Sequence, residues 1–316
     1  MHRRANILRM GFLAGLLGLA GVAHGAGKAR VVVNGTVAPV HFNDGDSFRV
    51  LGGKMDGTKA RLQGFNTLES HGPVHSWGGW TAKELYINAK MATLHARKGS
   101  WTCSAGGDLD TYGRMLFDCP DLRQSHIKNG FAHTMTITAD PAPANLVKLQ
   151  DEAIANKRGM WAHGAPEYVL TSLHSADEDP SRAYHYNRVV STKDGHSEKL
   201  RHKTTYKECE TVCVDRVTMA PEVVKASSAA LRADTSVADL TGEWSDDQVH
   251  HVLNIWLKLN NTAALIGKRD RKRMTTALEK LTSSGVLEEQ SREKDSCMVY
   301  VHFRRRYGGG RASCLK

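Results

Sequence analysis

Residues 28–40 are rich in Val and Thr and hold Asn34-Gly35 at their centre, the pattern of two strands about a tight turn. Residues 47–51 alternate and run into Gly52-Gly53, and residues 60–65 read as another strand. The stretch 71–79, with its Gly, Pro and His, reads as a loop. Ala82, Leu85, Tyr86, Ala89, Thr93 and Ala96 then recur at helical spacing, and Gly99 stops the helix. Residues 100–103 and 115–119 predict two strands about a turn-rich connection, 104–113. A short helix over 121–129 closes at Gly130. Pro143 opens a third helix, with Leu146, Leu149, Ala153 and Ile154 on one side and Gly159 at its end; Met160-Trp161 follows as an apolar plug.

Several strands, a helix, two strands and two helices make an α+β fold. The expectation is a five-stranded OB-type β-barrel with three helices, a fold that often holds oligonucleotides on one face. After Trp161 the texture changes, which predicts a domain over 26–164, a polar linker over 165–203 and a smaller, mostly helical region over 204–316. In that last region Ser245 and Gln248 form a capping box ahead of an apolar stripe of Val249, Val252, Leu253, Trp256 and Leu257. Asp270 reads as the cap of a further helix ending at Gly285. Residues 297–303 alternate like a strand, a basic glycine-rich turn follows at 304–311, and 312–315 read as the return strand of a β-hairpin. Helices followed by a basic hairpin fit either a winged-helix arrangement or a disulfide-pinned helical cap.

The formal net charge of +10 over 316 residues favours polyanionic partners, of which phosphate backbones are the commonest. Residues 1–25 have the form of a signal peptide: Arg3, Arg4 and Arg9, an apolar run over 11–22, then small residues at Ala23 and Gly25. An uncleaved anchor is the alternative, although the run is short for a bilayer span. A secreted or periplasmic protein is expected, free of the membrane after cleavage and monomeric. Six cysteines suit that compartment. Antiparallel pairing of the strands ending at Cys103 and Cys119 would bring those two sulfurs together. Cys209, Cys213, Cys297 and Cys314 stay open, and the first two could instead form half a zinc site with His196 or His202.

The densest chemistry lies over 43–69. Asp44-Gly45-Asp46 sets two carboxylates beside a flexible glycine, and Asn66, Thr67 and Glu69 offer further oxygens if the second strand lies beside the first. Arg61 opens an apolar strand, and Arg114 follows the glycine of the turn Asp110-Thr111-Tyr112-Gly113-Arg114. Two guanidiniums converging on an oxygen-lined cation suit phosphodiester hydrolysis, whose transition state gathers negative charge on the non-bridging oxygens.

With N-D-G-D-S-F-R-V, R-L-Q-G-F-N-T-L-E, D-T-Y-G-R, K-N-G-F-A and R-G-M-W in order, residues from about 30 to 161 resemble the staphylococcal nuclease family. The resemblance implies calcium-dependent phosphodiesterase activity on DNA or RNA, with other divalent ions possible. It assigns Asp46, Asn66 and the Thr67 carbonyl to the ion, with Asp44 an acid close by. It makes Glu69 the residue that orients or deprotonates the attacking water, Arg61 and Arg114 the phosphate-binding pair, and Tyr112 a neighbour of the bound nucleotide. Asn66 stands where the family carries a second aspartate, so one ligand charge is gone and Asp44 becomes the candidate replacement. Leu68 replaces a proline, and Thr136 and Thr138 replace two base-stacking tyrosines. His71, His75, Trp77 and Trp80 either line the substrate groove or pack the start of the helix. The rival expectation is a binding module of the same fold that has lost the reaction.

Overall fold

Asn34 and Gly35 both adopt positive φ, 49° and 81°, and the turn they make folds β1 (Arg30–Val33) back on β2 (Thr36–Asp44). The structure, a computed structural model, describes residues 29–72 and 74–315; the candidate signal peptide lies outside them. β3 (Ser47–Val50), β4 (Lys59–Leu62), β5 (Phe65–Thr67) and β6 (His75–Trp77) precede α1 (Ala82–Lys98). β7 (Ser100–Cys103), β8 (Met115–Phe117), α2 (Pro120–Lys128), β9 (Ala132–Thr134) and α3 (Ala144–Ala155) follow.

Six strands form one sheet in the order β7-β1-β2-β3-β4-β8, so the count is six where the sequence pattern predicts five. The 104–113 connection sends β7 and β8 to opposite edges of this sheet. Curling then brings the edges together at a Ser104–Asp118 bridge and at the Cys103–Cys119 disulfide. Phe42, Phe48, Phe65 and Phe117 fill the interior, none more than 1% exposed. α1 starts at a reciprocal Thr81–Glu84 capping box and buries Ala89, Ala92 and Ala96, small side chains that let it approach closely. β5 pairs with β9 apart from the curled sheet.

The stretch read as a polar linker, 165–203, is instead folded. It holds β10 (Tyr168–Ser172), β11 (His185–Ser191) and β12 (Ser197–His202), a three-stranded antiparallel sheet. Its inward positions on β11 include His185 and Asn187, and these polar residues hide the apolar alternation that a half-buried strand normally shows. Leu170, Leu173 and Val189 share one core with β13 (Thr211–Thr218), α4 (Pro221–Ala233), α6 (Asp246–Leu259), α7 (Arg271–Ser283) and β14 (Ser291–Val299); α5 (Ala238–Thr241) is a short turn of helix between α4 and α6. The Ser245–Gln248 capping box is present at the start of α6, whereas Asp270 precedes α7 without capping it and holds Arg273 instead.

The hairpin expected near the C-terminus is also corrected. β14 pairs with β13, and 313–315 form a short 3-10 turn rather than a return strand. Cys213 and Cys297 are opposite one another in that pairing and are bonded, as are Cys209 and Cys314, which removes the half zinc site. On its other edge β14 takes up β6, with Cys297 opposite Ser76. The loop after Glu69, expected to be irregular, thus acquires a strand by pairing with the far end of the chain. Among the described residues no helix is long and apolar enough to cross a membrane.

The Cys103–Cys119 bond closes a loop of 16 residues between the two sheet edges. Replacing both cysteines with Ala is expected to lower unfolding free energy by about 3 kcal/mol, the loop-closure scale for that length. Chemical denaturation of the two proteins measures it.

Candidate active site

The β3–β4 register sets Ser47 opposite Arg61, which brings Arg61 beside Asp46. Asp46 is buried, and each of its oxygens is taken: Arg61 Nη1 donates to Oδ1 at 2.6 Å and the Thr67 amide donates to Oδ2 at 2.8 Å. Arg61 Nη2 donates to Asn66 Oδ1, also at 2.6 Å. The Asn66 amide in turn donates to the Thr67 carbonyl at 2.9 Å and stands 3.4 Å from His133 Nε2. β3, β4 and β5 are therefore fastened to one another by one guanidinium and one carboxylate.

Gly45 is needed here for space rather than for flexibility. A Cβ at that position would stand 2.5 Å from Thr67 Cγ2 and 3.1 Å from the Ala92 Cβ, so only glycine lets the two acids approach β5 and α1. His126 Nε2 faces the Gly45 carbonyl at 3.1 Å; burial holds this ring down to about 3, so it is neutral and donates that bond.

Asp44 accepts from Ser47 Oγ at 2.6 Å. Burial, then the charges of Asp46 and Glu69, push its carboxyl up to about 8. Burial also raises Glu69, with Arg306, Arg61 and Arg114 pulling the other way. Burial works against the charge on Arg61, but Asp46, Asp44 and Glu69 outweigh it and hold the guanidinium above its ordinary range. Three carboxylates thus share one neighbourhood with three arginines.

Asp110 organises the turn that carries Arg114. Its Oδ1 accepts from the amides of Tyr112 and Arg114, both at 2.9 Å, and Oδ2 accepts from Arg114 Nε at 2.7 Å. Tyr112 is 67% exposed, with the Arg114 guanidinium 5.6 Å from its ring centre.

The basic turn at 304–311, read from sequence as either a nucleic-acid grip or a solvated loop, reaches this site. Arg306 and Tyr307 arrive from the basic turn after β14. Arg306 Cδ would stand 3.1 Å, and Glu69 Oε2 3.5 Å, from a Cβ on Gly72, so the two side chains flank that glycine. Arg306 Nε donates to the Val301 carbonyl at 3.2 Å, and the Tyr307 ring lies 5.9 Å from that of His71. The run of arginines at 304–306 was the visible signal, but nothing in it names Glu69 as its neighbour. Trp77 and Trp80 pack rather than line a groove: their indole N–H groups donate to the carbonyls of Gly164 and Met160 at 3.1 and 2.7 Å.

A group missed from sequence lies on the outer face of β11 and β12. Tyr186 pairs across with Arg201, and Arg188 with Lys199. Arg188 and Lys199 stand 5.7 and 5.2 Å from the Tyr186 ring, and Arg201 stands 5.3 Å from Tyr184. Tyr112 lies within electrostatic reach of Tyr186 and Arg188 on this face.

Asp44, Asp46 and Glu69 carry the carboxylate oxygens that a hard divalent cation would need, but among the described residues they do not converge as a ligand group, and both Asp46 oxygens are already engaged. Asn66 fits less well than the resemblance implies, because its amide oxygen already accepts from Arg61; the Thr67 carbonyl is likewise engaged by Asn66. Scanned against models of known protein families and against curated proteins, the chain matches none.

The Asp44 shift has a definite sign. Between about 3.8 and about 8 the folded chain holds a proton that the unfolded chain has released. That contribution to stability is complete at the acid end and is lost as pH rises through the window. With chelator present, the melting temperature is expected to fall more steeply from pH 4 to pH 8 in the parent chain than in Asp44→Asn, and parallel curves would refute the assignment.

Proposed function

We propose that this chain is a metal-dependent phosphodiester hydrolase acting on DNA or RNA, of the staphylococcal nuclease type, and that its curled sheet is an OB-type barrel. The observation that carries the reading is Arg61 held between Asp46 and Asn66, with Asp44, Glu69 and Arg114 within electrostatic reach and Arg306 beside Glu69. A divalent cation bound beside Asp44 and Asp46 would supply neutralising charge for a non-bridging oxygen and acidify water. Glu69, raised by burial, is suited to orient a water and accept its proton. Arg61 is fixed by Asp46 and Asn66, and Arg114 by Asp110, so neither has to be ordered when a phosphate arrives. Their forked donors complement the charge that develops on the phosphoryl oxygens. The Tyr and Arg residues on the outer face of β11 and β12, within electrostatic reach of Tyr112, suit a strand whose bases stack and whose backbone is anionic. Three disulfides agree with an oxidising compartment, which supports export.

A second reading has one specific observation behind it. The Asn66 oxygen is turned to Arg61, which leaves the ion short of a ligand and favours a binding module that no longer cleaves.

One assay separates the two. Cleavage of single- and double-stranded DNA and of RNA by the mature chain is expected with calcium and not with chelator. Glu69→Gln should slow it by about 10²–10⁴-fold, the scale of a general base. Arg114→Ala should slow it by about 10²–10³-fold, the scale of one lost transition-state donor. Salt-sensitive binding without cleavage under any divalent ion would establish the second reading instead.

A further inference from the structure

Outside the carboxylate site, two histidines and a glutamate meet where the turn into β12 packs on α6. One ligand atom from each of His196, Glu198 and His251 lies within 4.8 Å of the other two. Glu198 is 2% exposed and His196 7%. His251 Nε2 stands 3.0 Å from Glu198 Oε1, and His196 Nε2 stands 3.7 Å from the same oxygen. The two imidazole rings are 5.1 Å apart and nearly perpendicular, at 79°.

The surroundings settle which atoms are free to bind. His196 Nδ1 lies 2.5 Å from Asp194 Oδ1 and donates its proton there. That bond fixes the tautomer and turns the Nε2 lone pair toward Glu198 and His251, where it has no hydrogen-bond partner. Glu198 Oε2 accepts from the Ala264 amide at 2.6 Å, which leaves Oε1 as the oxygen facing the histidines. An ion pair of His251 and Glu198 would explain two of the three groups. It does not explain a buried imidazole nitrogen held without a partner by a carboxylate on its other side.

We propose that His196, Glu198 and His251 form a site for a borderline divalent cation of the zinc class. Two imidazoles and one carboxylate are a zinc donor set, and Asp194 is the outer carboxylate that commonly orients a zinc-binding histidine. With metal–ligand distances of about 2.0–2.2 Å in a tetrahedron, ligand atoms lie about 3.4 Å apart; the 3.0 and 3.7 Å separations from Glu198 Oε1 fall on either side. The His251 side chain is 23% exposed, so the fourth position opens toward water. On binding, His251 changes tautomer: the Nε2 proton that it otherwise donates to Glu198 leaves to solvent and Nδ1 takes one up, so a neutral imidazole presents the Nε2 lone pair. Nitrogen donors make this site poor for calcium, so it is chemically separate from the acids around Asp46.

The site holds a turn that grips the first half of the chain. The Asp194 and Gly195 carbonyls accept from the amides of Ala142 and Thr136 at 2.7 and 2.8 Å, and the Ser197 amide donates to the Thr138 carbonyl at 2.8 Å. A cation joining β12 to α6 therefore braces the segment after β9.

The test is a titration of the chelator-stripped mature chain with Co2+, followed by Zn2+. We expect the visible absorption of four-coordinate cobalt at one equivalent, displaced by one zinc and untouched by calcium. His196→Gln and His251→Gln should each weaken zinc binding by about a hundredfold or more, and Asp194→Asn by about 10–100-fold. Asp46→Asn should leave the cobalt spectrum unchanged. The proposal is overturned if the parent chain gives no such spectrum, or if it persists at parent affinity in both histidine variants. The parent spectrum decides even if a variant fails to fold, and no arm depends on whether the protein cleaves nucleic acid.

Discussion

A buried carboxylate is tolerable only when every oxygen is engaged, and Asp46 meets that condition with one guanidinium and one backbone amide. The same contacts fasten β3 to β4 and β5, so the placement of Asn66, Thr67 and Glu69 follows from them. Gly45 permits the arrangement because no side chain there would clear Thr67. Asn66 is intelligible in this setting. As an amide it shares Arg61 with Asp46 without adding a further negative charge to a pocket that already holds Asp44 and Glu69.

Much of the first half of the fold is legible in the residues themselves. Asn34-Gly35 announces its turn, α1 follows its apolar spacing, and the strands ending at Cys103 and Cys119 run to a shared disulfide. Arg61 and Arg114 are nominated by the resemblance of residues 30–161, which assigns phosphate-binding arginines to those two positions. The partners that orient them were harder to see. Asp110 has the appearance of a turn residue, and only coordinates reveal that it holds both the amide and the side chain of Arg114.

The second half was less legible for a different reason. β11 turns His185 and Asn187 inward, where Asn187 donates to Tyr206 Oη at 2.7 Å and its Oδ1 stands 3.1 Å from His202 Nε2. A strand whose inner face is polar leaves no period-two apolar signature. Nor does local pattern say that β6 will pair with β14, since that contact is made by residues at opposite ends of the chain. Arg306 reaches Glu69 through the same long-range pairing.

The union of β6 with β14 also bears on the order of assembly. The curled sheet can close on its own cross-link as soon as residue 119 is available, because its contacts are local. The loop beyond Glu69 has to wait for the last strand to be delivered, and such distant closures form late. A chain interrupted anywhere before β14 would present β6 as a bare edge, open to whatever other strand it met first.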